Sequence, residues 1–234
     1  MVENLFRSSH NVVLAVAVSQ GKQPPMIYGY HLLWTAYGWW LPNDPRGSMS
    51  KEVLAENIVD LGEVHYGRKR IQPAGWVLND FRKSAALALQ HEVVKFQAEE
   101  IAVIANAFAK VIRENSYTCY ACAIMPEHIH LLIRKHRQQA ETMIENFQWE
   151  SLNAVGHCGM RPIAHPVWGG PGWKVYLDSV ADMQRTVRYI ENNPLKIGLP
   201  RQLWEFVKPY DSWKPGNVSF GKPQSKPRRH NDLP

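Results

Sequence analysis

Glu127-His128-Ile129-His130-Leu131 sets two imidazoles one residue apart. Successive strand side chains alternate between faces, so His128 and His130 project together while Ile129 turns into the core. The apolar flanks, residues 120–124 and 131–133, read as buried strand. Both imidazoles are expected to point off the sheet, into solvent or onto a metal. Side by side they make half of a divalent-metal site. A lone His-x-His is more often an ordinary pair of surface or core histidines, so the motif needs a companion.

The companion lies near residue 190. Ser179-Val180-Ala181-Asp182 reads as a helix N-cap with an acidic residue three positions on. In the helix that follows, Met183, Val187 and Ile190 fall on one side and Arg185, Arg188 and Tyr189 towards the other. Pro194 disfavours helical geometry at Asn193 and ends the helix there. Tyr189 and Asn193, four residues apart, share a face. A phenol and an amide oxygen one turn apart can both face the histidines. Asn193 would then be a third, neutral oxygen ligand and Tyr189 a nucleophile.

Together these residues resemble a family. Met125-Pro126-Glu127-His128-Ile129-His130-Leu131-Leu132-Ile133 is similar to the His-hydrophobic-His signature of the HUH endonucleases. Tyr189-Ile190-Glu191-Asn192-Asn193-Pro194 resembles the Tyr-Ile-x-x-Asn-Pro pattern of REP-associated tyrosine transposases, a branch of the single-tyrosine, IS200-like HUH transposases. The resemblance spans residues 28–210, with Glu127 standing where Asp or Asn is commoner. It implies a ferredoxin-like fold and a hairpin-DNA substrate, either mobile or domesticated. It also implies that residues 39–48 (Trp-Trp-Leu-Pro-Asn-Asp-Pro-Arg-Gly-Ser) help recognise DNA beside a hairpin, which makes Arg46 a candidate contact. Otherwise that stretch is a rigid loop fixing a sheet edge.

The chemistry expected is phosphodiester transfer. A phenol with an ordinary pKa near ~10 needs alignment or activation before it attacks. A divalent cation, Mg²⁺ or Mn²⁺, held by His128, His130 and Asn193 would polarise the scissile phosphate. Attack by Tyr189 leaves a 5′-phosphotyrosine and a free 3′-hydroxyl, and its reversal rejoins strands without ATP. No Walker-type glycine-rich loop for a nucleotide cofactor is present. Arg185 and Arg188 flank Tyr189 as candidate phosphate contacts, or as a solvated helix face. His31, His136, His157 and His165 have no partner at metal-binding spacing and are not expected to be ligands. Two other readings stay open: a replication- or relaxase-type HUH nickase, and a hairpin-binding protein that no longer cuts.

Composition sets the frame. The chain has 234 residues and a formal charge of +6, compatible with a polyanionic partner. Nine Trp and nine Tyr suit either a packed core or base stacking. Three cysteines give no disulfide framework and fit a reducing, cytoplasmic setting at the nucleoid. Cys119 and Cys122, three apart on a strand, should face opposite ways, against shared ligation. Residues 11–18 are too short an apolar run to span a membrane.

Stepping along the chain, residues 1–25 read as a flexible leader and residues 27–36 as a first strand. Residues 38–76 read as an insertion with a short helix at 51–58. One long helical stretch follows, carrying Phe96, Ile101, Ile104, Phe108, Val111 and Ile112. Strands at 117–124 and 129–134 flank a turn at 125–127. A helix at 140–155, a strand at 174–177 and the tyrosine helix complete the domain, and residues 214–234 read as a disordered basic tail. The order is β-α-β-β-α-β plus a C-terminal helix: an α+β, ferredoxin-like split βαβ with strands one and three central. Such a protein would act as a monomer or a homodimer.

Overall fold

The computed structural model describes residues 26–162 and 164–216. The expected leader, Ile163 and residues 217–234 of the tail lie outside the described residues.

Four strands form one antiparallel sheet in the order β2-β3-β1-β4. They are β1 (Gly29–Thr35), β2 (Cys119–Ile124), β3 (His128–Arg134) and β4 (Trp173–Leu177). The two central strands are the first and third, as the ferredoxin-like reading requires. The β1–β3 register runs from Gly29 opposite Arg134 to Thr35 opposite His128. Gly29 sits where an added Cβ would lie 2.7 Å from the Ile133 carbonyl oxygen, so a side chain there would push the central pair apart.

Alternation along β1 and β3 divides the sheet cleanly. Tyr30, Leu32, Trp34, Ile129, Leu131 and Ile133 face the main core. Two helices cover that face, α2 (Ala98–Asn115) and α3 (Ala140–His157), through Ile104, Phe108, Met143 and Phe147. Leu132 faces the other way, into a smaller cluster with Tyr120, Met183 and Ile190. The helix covering that side is α4 (Val180–Glu191). Its N-cap is the expected one, the Ser179 hydroxyl accepting from the Asp182 amide at 3.1 Å.

Three expectations change. The single long helical stretch is two helices, α1 (Gly75–Ala88) and α2, with Phe96 outside both. A capping box joins Gln97 and Glu100 and starts α2 there. Phe81 and Ala85 of α1 pack with Leu41 and Ile58 in a small separate core, so α1 belongs with the loop before it. The short helix of that loop is a 3₁₀ turn at Glu56–Leu61, later than the expected 51–58.

The cysteine geometry also differs. A register irregularity between Cys119 and Ala121 sets Cys119 opposite Ile133 and Cys122 opposite Leu131, on the same face. Both are buried in the main core. Burial pushes the Cys119 thiol up to about 12 and the Cys122 thiol well above its ordinary value. Neither carries a thiolate, which leaves both as packing residues.

The outer edge of β2 is covered by the chain after α4. The Gln202 side chain accepts from Ile124 N at 2.8 Å and donates to Ile124 O at 2.7 Å. Farther along, Lys208 N donates to Cys119 O at 2.8 Å.

Candidate active site

Strand alternation places His128, His130 and, across the β1–β3 ladder, His31 on the α4 face of the sheet. Tyr189 comes to them from the last turn of α4. The His130 ring centroid lies 4.8 Å from that of His128 and 5.4 Å from that of Tyr189, both edge-on. Tyr189 is 45% exposed, so a substrate can reach its hydroxyl. The expected nucleophile and the two expected histidine ligands therefore gather around His130, brought together from elements distant in sequence.

His130 departs from expectation in one respect. It is buried, not projected into solvent, because His31 and Tyr189 pack over it. His31 Nε2 lies 2.9 Å from His130 Nδ1, a hydrogen bond between two imidazoles. Burial holds His31 down at about 4. Burial first, then the charges of His128, His31 and Lys196, hold His130 well below its ordinary value. Both rings are therefore neutral at physiological pH, and neutral imidazole is the metal-binding form. With His130 Nδ1 engaged by His31, its Nε2 is the ring nitrogen left to bind. Likewise His128 Nδ1 sits 3.4 Å from Glu127 Oε1, which leaves the other nitrogen of that ring. The His128 hydrogen bond is the main influence holding the Glu127 carboxyl below its usual range.

Helix α4 ends at Glu191 with Asn192 as its C-cap. Asn193, which follows, is buried and keeps the helical geometry (φ −60°, ψ −47°) that Pro194 is expected to disfavour, because the chain runs straight on into a 3₁₀ turn. Its Oδ1 accepts from Lys196 Nζ at 3.1 Å, and its Nδ2 has no partner among the described residues. Lys196 Nζ also stands 4.2 Å from the centre of the Tyr189 ring. A fixed cation thus touches the amide oxygen, the phenol ring and the field at His130. Its position follows from Asn193-Pro194, which turns the chain into a 3₁₀ segment, Pro194–Ile197.

The donor types suit a divalent metal: the imidazole nitrogens of His128 and His130 and the amide oxygen of Asn193. Among the described residues no group of three or more His, Cys, Asp or Glu is arranged to hold a metal ion.

A groove of about 500 Å³ leads away from the cluster, lined by His31, His130 and Tyr189 and then by Trp40, Arg68, Trp173 and Arg185. Arg185, one turn before Tyr189, lines it while paired with Asp182. Arg188 is exposed and does not line it. Arg46 is held inside its own loop. Its guanidinium pairs with the buried Asp44 at 2.7 Å, donates to Trp39 O and stacks 4.2 Å from the Trp40 ring centre. Gly47 follows at φ +89°, where an added Cβ would fall 2.0 Å from the Gly67 carbonyl oxygen. Arg46 braces Trp40, and Trp40 is the residue of that loop that reaches the groove.

His31, Lys196 and Arg68 were missed by spacing. The signal for His31 is the β1–β3 register, which sets it on the face of His130. The signal for Lys196 is its place three residues after Asn193.

No protein-family model matches the chain, and neither does any curated protein. Solved structures that are similar include two transposases. One is a REP-associated tyrosine transposase bound to a REP hairpin, at 13% identity over 77% of this chain and 74% of that one, with a TM-score of 0.40. The other is a proposed transposase from Deinococcus radiodurans R1, at 15% identity over 73% and 95%, with a TM-score of 0.33. The functional reading rests on the residues of the site.

Proposed function

We propose that the chain is a metal-dependent single-strand DNA endonuclease and strand transferase that acts on hairpin DNA through Tyr189. The observation that carries this is the clustering of an exposed phenol with the imidazoles of His31, His130 and His128 at one end of a sheet. His128, His130 and Asn193 would hold the metal, Mg²⁺ or Mn²⁺. When bound it supplies Lewis-acid polarisation of the scissile phosphate.

The chain's own residues do the rest. Tyr189 Oη attacks phosphorus and gives up its proton to solvent. The 3′-oxygen leaves and takes up a proton, and the 5′-phosphate remains on Tyr189. Reverse attack by a 3′-hydroxyl rejoins strands, since the phosphotyrosine keeps the phosphodiester's free energy. Lys196 supplies positive charge next to the reacting phosphate, and Arg185, paired with Asp182, lines the groove beyond it. Trp40 and Trp173 offer flat faces for unpaired bases along the groove.

Tyr189→Phe removes the nucleophile and keeps the ring. Hairpin binding should persist, while cleavage and a denaturation-resistant protein–DNA band should vanish. Tyr176→Phe is the control. Tyr176 sits opposite Tyr30, whose side faces the main core, so it lies across the sheet from the histidines. With end-labelled DNA, label should stay on protein only when it lies 3′ of the cut. A band that survives Tyr189→Phe would overturn the assignment.

A further inference from the structure

At the end of β3 away from the histidines the chain reads Arg134-Lys135-His136-Arg137. These residues line a cavity of about 650 Å³, walled on its other sides by Ser116 and Trp213. Arg134 stacks 5.1 Å from the Trp213 ring centre. Among the described residues none of Arg134, Lys135 and Arg137 has an ion-pair partner. The nearby carboxylate of Asp211 is taken up by the Tyr120 hydroxyl and the Trp213 amide. The Trp213 indole N–H is buried with no acceptor among the described residues. His136 feels the same uncompensated charge. Burial first, then Arg137 and Arg134, hold it below its ordinary value.

Three unneutralised cations beside a buried donor that lacks an acceptor describe a site for an anion with several oxygens. Its distance from the active site suits the phosphates of a duplex stem. Arg134 and His128 lie six residues apart on one face of β3, about 20 Å at ~3.3 Å per residue. That is roughly six base steps of duplex at ~3.4 Å each. We infer that this cavity binds backbone phosphate of the paired stem while the unpaired segment lies at Tyr189. The inference rests on the proposed function and extends it by assigning a second DNA contact.

Lys135 and Arg137 are exposed, so Lys135→Gln/Arg137→Gln should leave the fold intact. The measurement is anisotropy binding across a salt series, using the full chain without cleavage. The probes are a stem-bearing hairpin, and an unpaired oligonucleotide too short to reach from Tyr189 to Arg134. For the hairpin, the double variant should weaken binding about tenfold or more and reduce the log–log salt slope by about 2, one per charge removed. Short-oligonucleotide binding should not change. Inorganic phosphate should compete with the hairpin in wild type more than in the variant. An unchanged hairpin slope, or equal losses on both probes, would overturn the inference and leave the proposed function standing. Wild type that binds neither probe would overturn both.

Discussion

The two faces of the central strands carry different kinds of chemistry on the same backbone. On one face Leu32, Trp34, Ile129 and Leu131 are fully or almost fully buried against α2 and α3. On the other, between the same residues, come His31, His128 and His130, covered by a single helix that also brings Tyr189. One side is bound by apolar area throughout, the other by a smaller apolar cluster around Leu132, Met183 and Ile190 with the histidines and Tyr189 beside it. A period of two makes this possible, because each position can be committed to one face without cost to its neighbour. The comparison predicts that changes to the first face should lower stability and changes to the second should lower function.

The largest effect on folding should come from Trp34→Ala, which removes a buried indole and should cost about 3–5 kcal/mol. His128→Ala, on the opposite face, should cost about 1 kcal/mol or less and abolish cleavage. Urea midpoints with an adduct assay separate the two, and a His128→Ala protein as unstable as Trp34→Ala would erase the distinction between faces. His130→Ala should lose both activity and some stability, because His130 is buried.

Next is His31→Leu, which keeps the packing and removes the hydrogen bond that orients His130. Loss of such a supporting contact should weaken metal binding about 10–100-fold. Calorimetric metal titration checks it, with thermal melting of the metal-free protein showing that the fold survives. Unchanged metal affinity would reduce His31 to a packing residue.

Gln202→Ala touches neither face. It removes two hydrogen bonds from the edge of β2 and should cost about 1–2 kcal/mol without changing cleavage per folded molecule. The smallest effect on metal binding should be that of Lys196→Met, which keeps a flexible stem on the Tyr189 ring. Freeing Asn193 Oδ1 from a hydrogen bond of about 1 kcal/mol should raise metal affinity about fivefold. Weaker metal binding in this variant would show that the ammonium does not contend for that oxygen.

Much of this was legible in the sequence. Alternation and turn residues placed the strands, and helical spacing with Ser179 placed the start of α4. The pairing of His128 with His130 follows from local geometry alone. What was not legible depends on register across strands. His31 has no neighbour at ligand spacing along the chain, yet pairing β1 with β3 brings it to His130. The irregularity at Cys119 turns two cysteines to one face, which counting by twos cannot foresee. The break before α2 was readable in principle, since Gln97 and Glu100 form a capping box. Asp44, two residues before Arg46, similarly pointed to a guanidinium held within its own loop.

The Gln202 clasp has a consequence for the order in which the molecule is made. Ile124 and the glutamine that closes its edge are separated by 78 residues. During synthesis β2 and β3 can therefore pair well before anything shields the outer rim of β2. An open strand rim recruits other strands, and nascent chains on neighbouring ribosomes supply them. Chains arrested before Gln202 should aggregate, whereas a few further residues should suffice to quench it.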